Sequence, residues 1–233
     1  MSHENFTPLQ RLIGRAASWS AAMLGCVYLV TLVLGLLALR SPNDPIADPY
    51  FSILELLIVL MAPLMVLSMA TVHAYSSLED KAYSQAALIF MIVMAGITSC
   101  VHFTILAASR PIQAAGLAGA PLLFSFRWPS VAYVLDILAW DWFFALSMLF
   151  AALVFHTGRL ERTVRMLMIA SGVLSLAGLI GVPLADMQVR MIGVVGYAVL
   201  APVVFLLLGM VFNRHHGVDR GHGRERILGE DKG

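Results

Sequence analysis

The chain has 233 residues, of which 60% are hydrophobic and only 12% charged, with a net charge of +1 and a mean hydropathy of +0.85. A soluble domain carries about twice that charged fraction, so an ordinary water-soluble protein is excluded. No Gly-rich phosphate loop, HExxH, CxxC or nucleophile motif occurs, which disfavours nucleotide hydrolysis, nucleic-acid binding and metalloproteolysis, and no cofactor or metal is expected.

Residues 1–18 open with Thr7-Pro8, a helix cap followed by a first helical position. Leu9, Leu12, Ile13 and Ala16 follow at helical spacing, opposite Gln10, Arg11 and Arg15. The pattern predicts an amphipathic helix lying on the membrane surface. Apolar runs long enough to cross a ~30 Å hydrocarbon core then predict six transmembrane helices within residues 19–212, at about 19–39, 51–75, 83–108, 131–156, 163–184 and 191–212. The runs lack the alternation of a membrane barrel. The fold class is therefore all-α, a polytopic helix bundle. No small-residue cleavage site follows the first run, so that helix is expected to stay in the mature chain.

The loop at 40–50 is rich in Pro, Asp and Asn and ends the first helix; Ser76 to Lys81 is a tight polar turn. Residues 109–130 are long yet apolar, with Leu122, Leu123, Phe124, Phe126 and Trp128 between Gly and Pro. Such a segment is expected at the interface or as a lid over the third and fourth helices. Helix five carries Ser171, Ser175, Gly178 and Gly181 at small-residue spacing, and helix six offers Gly193 and Gly196. Close approach of two helices follows, and with only Ala185 to Arg190 between them helices five and six are expected to form an antiparallel hairpin. Pro63 and Pro202 interrupt helices two and six. Residues 213–233 form a basic, Gly- and His-rich tail, expected to be disordered and to lean on anionic lipid.

Orientation follows from the positive charges. The N-terminal side of the alternating topology receives Arg11, Arg15, Lys81, Arg159, Arg162, Arg165, Arg214, Arg220, Arg224, Arg226 and Lys232. The other side receives only Arg40, Arg110, Arg127 and Arg190. Both termini are therefore expected in the cytoplasm. The Trp-Asp-Trp-Phe-Phe helix, the Gly-Arg-Leu-Glu-Arg connection and the small-residue helix over 131–212 resemble bacterial multi-pass membrane proteins, which implies an inner-membrane location and no particular activity.

Cys26 and Cys100 lie in different halves of helices one and three, too far apart to pair, and are read as packing residues. His73 and His156 sit near the inner ends of their helices, too shallow to bury a porphyrin between them.

The chemistry concentrates in three ionisable residues. Glu55, His102 and Asp136 fall on helices two, three and four, each about 6–9 Å below the outer boundary at 1.5 Å per residue. Charges inside a membrane are costly and mark functional sites. These three are the candidate catalytic residues. Asp141, Trp140, Phe143, Thr98 and Trp128 are the candidate ligand-binding residues. Asp141 is deeper, and α-helical phase turns it away from Asp136, which shares a face with Trp140, Phe143 and Ser147. Asp186 and Arg190 can overhang the same region.

Two carboxylates and an imidazole at one level suit acid/base chemistry on a small hydrophobic or lipid-like molecule, with aromatic walls for a cationic transition state. If catalytic, the site is that of an intramembrane isomerase or cyclase acting on an isoprenoid or sterol-like lipid with a protonated carboxyl as acid. Two alternatives stand beside it: an accessory subunit that meets a membrane-protein partner through helix five, and a proton-coupled carrier working as a homo-oligomer.

Overall fold

Thr7 caps the first helix as its sequence suggests. Its hydroxyl accepts from the Gln10 backbone N–H at 3.3 Å, and the Gln10 side chain accepts from the Thr7 N–H at 2.9 Å. These reciprocal bonds satisfy two of the donors that a helix start leaves open. In the computed structural model, which describes residues 6–41, 44–116 and 119–214, helix α1 then runs unbroken through Pro8–Leu37.

The expected separate surface helix at 1–18 is therefore corrected. Nothing between Ala16 and Ala22 breaks a helix, and the first turns are held by neighbours rather than by the membrane surface. Gly14 lies hard against Thr71, Ser18 donates to Ser68 at 3.1 Å, and Arg15 donates to Asn213 at 2.9 Å.

The remaining helices are α2 (Tyr50–Tyr75), α3 (Lys81–Ala114), α4 (Val131–Ala152), α5 (Gly158–Gly181) and α6 (Met187–Arg214). Among the described residues every element is helical. Six helices are long and apolar enough to cross a membrane, and many Leu, Val, Ile and Met side chains stand exposed on them. That surface has the character of an integral membrane protein. The tail expected at 213–233 lies outside the described residues after Arg214.

Consecutive helices pack side by side, and α1 closes against α6. A Cβ on Gly25 would meet Pro202 Cγ at 2.7 Å, and one on Gly209 would overlap the Trp19 ring. Both described ends of the chain share one end of the bundle, where Phe6 packs on Tyr75 and Phe212 with ring centroids 5.5 and 6.0 Å apart. We call this end proximal and the opposite one distal. The proximal half is solid: Met69, Met91, Met148, Phe155, Met168 and Phe212 are almost completely buried.

Proximal polar groups serve each other. His73 meets Ser84 at 2.9 Å, His156 meets Asp80 at 3.1 Å, and the Tyr75 hydroxyl donates to Glu161 at 2.7 Å. The two histidines thus have separate partners.

One further expectation changes. Cys26 and Cys100 are exposed rather than packed, because α1 turns its smaller residues Ala17, Ala21, Ala22 and Gly25 inward. The small-residue face of α5 is occupied within the chain: Ser171 donates to the Gly196 carbonyl at 2.8 Å, and a Cβ on Gly181 would come within 2.7 Å of the Arg190 nitrogen. Ser171, Ser175, Gly178 and Gly181 are all buried there.

Candidate functional site

Where the proximal half is filled, the distal half holds a cavity of about 960 Å³, near the top of the ~300–1,000 Å³ range of ligand sites. Its sides are the distal halves of α1, α2 and α6 with parts of α3 and α4. Its roof is made of the two distal loops. Asp44 to Asp48 contribute from one, and Pro121, Leu122 and Phe124 to Pro129 from the other. The apolar segment at 109–130 therefore covers the cavity, as a lid would, after α3 has run on to Ala114. Ser130 starts α4 beneath it by accepting from the Tyr133 N–H at 3.2 Å.

Glu55, His102 and Asp136 converge on the cavity wall. His102 lies between the carboxylates, with Nδ1 at 2.8 Å from Glu55 and Nε2 at 3.2 Å from Asp136. All three are buried, at 3%, 2% and 8% exposure. Phe126, dipping from the lid, stacks on the imidazole with centroids 5.1 Å apart. The chain of contacts continues. Arg190 on α6 reaches Asp136 at 3.4 Å and Asp141 at 3.3 Å, donates to the Tyr133 hydroxyl at 3.0 Å, and lies over the Tyr133 ring at 4.7 Å. One line of ionisable groups thus links α2, α3, α4 and α6.

Proton count follows from this geometry. A neutral imidazole donates from one nitrogen only. Two hydrogen bonds to two carboxyls therefore require either an imidazolium or one protonated carboxyl. Both forms hold two mobile protons in the Glu55–His102–Asp136 unit, and they interconvert by a shift along a hydrogen bond. The arrangement can give up a proton at one end and recover one at the other. It is poorly shaped for a metal ion, because the carboxylates occupy opposite edges of the ring instead of converging on one point. Among the described residues no group of three or more His, Cys, Asp or Glu is arranged for one.

Asp141 is the main departure from helical phase. Counted at 100° per residue it points about 140° away from Asp136, yet both carboxyls reach the same guanidinium. The cause is a π-helical stretch at Leu138–Phe144, where i→i+5 bonding brings residues five apart onto one side. Asp141 is fully buried between α5 and α6, in a notch left by two glycines. A Cβ on Gly178 would lie 2.8 Å from its Oδ1, and one on Gly193 only 2.0 Å. Neither Asp141 oxygen has an aligned hydrogen bond, so Arg190 holds it by charge alone. It stands behind the cavity wall and does not line it.

The other expected binding residues divide. Trp140 and Trp128 line the cavity. Thr98 stands one layer back, where it accepts from Trp140 Nε1 at 2.8 Å and fixes the indole. Phe143 turns away and stacks on Phe90 at 6.4 Å, carried off the Asp136 face by the same π turns.

Tyr28, Tyr133 and Tyr197 also line the cavity, and nothing in the sequence marked them. Sequence reasoning placed Arg190 only loosely. The available signal for Arg190 was its position: a cation at the outer edge of helix six, overhanging the level of Glu55, His102 and Asp136. Asp186 beside it is a helix cap, accepting from the Gln188 N–H at 2.9 Å.

No family model, curated protein or solved structure matches this chain. The site has to be read from its own geometry.

Proposed function

We propose that this integral membrane protein binds a small hydrophobic or lipid-like molecule in its distal cavity and transforms it by acid/base chemistry. The observation that carries the reading is His102, bridging Glu55 and Asp136 on the wall of a roofed, largely apolar cavity. The reaction that fits is double-bond isomerisation or cyclisation of an isoprenoid or sterol-like lipid. An acid of the unit adds its proton to an alkene carbon, and a cation forms. A second group of the unit, or the first once deprotonated, takes a proton from a neighbouring carbon. Protons and charge balance with no cofactor. His102 carries the proton between the carboxyls and so resets the site. Trp140, Tyr28 and Tyr197 supply π-faces beside the cationic carbon, and the roof keeps water from quenching it. By the distribution of basic residues, the cavity faces outward from the cytoplasm of a bacterial inner membrane.

The test is solvent isotope incorporation. The protein in lipid nanodiscs is incubated in D2O with extracted isoprenoid lipids, which are then analysed by mass spectrometry. Deuterium should enter an allylic position of one lipid class, and His102→Gln or Glu55→Gln should abolish it. If no lipid gains deuterium above the His102→Gln background and none copurifies with the protein, the reading fails.

A further inference from the structure

Resting on that reading of the cavity as a site for an isoprenoid lipid, we infer that the lipid it takes is a single-chain amphiphile with a cationic head, an ammonium group held beside Glu55 and Asp136 with the first alkene of its tail next to the same unit. Three observations carry this. The first is charge. The linked cluster contains three carboxyls, Glu55, Asp136 and Asp141, against one guanidinium and one imidazole. With every acid ionised and His102 protonated, it is one positive charge short of neutrality. Buried charges persist when paired, and a monocation in the cavity completes the pairing. Arg190 does not compete for this role, since two carboxylates and the Tyr133 hydroxyl already hold it.

The second is the wall. Tyr28, Tyr133, Trp140 and Tyr197 present aromatic groups to the cavity, and ring faces attract a desolvated cation. The Trp140 indole is fixed by Thr98 and packs on Tyr197 at 5.2 Å, so these surfaces are set before a ligand arrives.

The third is shape. Below the acids the cavity continues between α1, α2 and α6 past Gly25, Met61 and Ala201 to Met65 and Phe205. From Arg190 to Phe205 the helix covers about 20 Å. This trough offers no charged side chain to a second polar group. It fits a chain running toward the proximal end, with the head at the level of His102. The roof adds Arg127 against Asp44 and Asp48, so it brings no net positive charge, and an anionic phosphate head at the level of His102 would face the carboxyls.

Three labelled probes with one common tail separate these features: dodecylamine, dodecanol and dodecyl phosphate. Equilibrium binding is measured to the protein in phosphatidylcholine nanodiscs, over empty nanodiscs. Dodecylamine should saturate at one per chain and bind at least tenfold more tightly than dodecanol, with dodecyl phosphate weakest. Asp136→Asn and, separately, Glu55→Gln should each weaken the amine by about tenfold while leaving dodecanol within twofold. Met65→Trp, which fills the trough, should weaken all three alike.

Equal affinity for amine and alcohol overturns the inference, as does tight phosphate binding or indifference of the amine to both acid variants. In those cases saturable dodecanol binding keeps the cavity as a ligand site. If no probe saturates the wild-type protein, the inference and the reading beneath it fall together.

Discussion

Replacing Gly193 by Ala tests whether Asp141 really occupies the glycine notch between α5 and α6. The added Cβ would lie 2.0 Å from Asp141 Oδ1, 3.2 Å from its Cγ and 3.3 Å from the Gly178 Cα. A few tenths of an ångström of relaxation cannot absorb the first contact, so the carboxylate has to rotate out. Overpacking costs about 1–3 kcal/mol. Pulling Asp141 away from Arg190 adds part of the ~3–5 kcal/mol seen when a buried pair is broken.

The expected loss is therefore about 3–5 kcal/mol. At about 2–4 °C per kcal/mol for a chain of this size, the melting temperature should fall by at least 6 °C in detergent, read from tryptophan emission. Asp141→Ala removes the clashing atoms, so the double variant should be less destabilised than the sum of the two single variants, by about 1 kcal/mol or more. Strict additivity would refute the notch, and with it the claim that π turns carry Asp141 to that place.

Other outcomes follow from the same geometry. His102→Gln should lower the deuterium-exchange rate by about 10²–10⁴-fold, the usual worth of a general acid or base, with helicity by circular dichroism unchanged. Trp140→Phe leaves the buried Thr98 hydroxyl without its donor and should cost about 1–2 kcal/mol; Thr98→Val in that background should recover part of it, measured by thermal melting. Leu36 and Met191 line the cavity from α1 and α6 yet are 49% and 50% exposed, and a side opening toward lipid is expected beside them. Changing both to Trp should slow dodecylamine uptake severalfold in stopped-flow fluorescence while shifting its equilibrium affinity by less than twofold. An affinity loss as large as the loss in rate would count against a portal there.

Six membrane helices and the shared depth of Glu55, His102 and Asp136 were legible in the chain because both depend on simple lengths: twenty apolar residues per crossing and 1.5 Å of rise per residue. Rotation about the helix axis was less so. His102, Thr98, Ala95 and Met91 keep the spacing of one α-helical face, since α3 is regular there, and all four are buried. The faces of Asp141 and Phe143 were misread, because nothing in Leu138–Phe144 announces a π turn to a count made at 100° per residue. The same limit hid the aromatic wall: Tyr28 and Tyr197 lie on α1 and α6, and only the closing of α1 on α6 brings them opposite each other. The first helix was split because its polar early turns resemble a surface segment. Contacts with Thr71, Ser68 and Asn213, all distant in sequence, keep it whole.

The widened turns of α4 also act as a phase shifter in the middle of a rigid rod. Distal to them, Asp136 must answer to His102 and Arg190. Proximal to them, Ser147 must meet the Ala87 carbonyl of α3 at 2.8 Å in a tightly filled interior. A uniform helix would couple these two demands, and changing the contents of the cavity would twist the packing beneath. With slack wound between them, the acidic end can be rebuilt for another occupant while the foundation stays as it is. Deleting one residue from Leu138–Phe144 would let the stretch become regular α-helix with the two halves close to their present phase, and would remove that freedom.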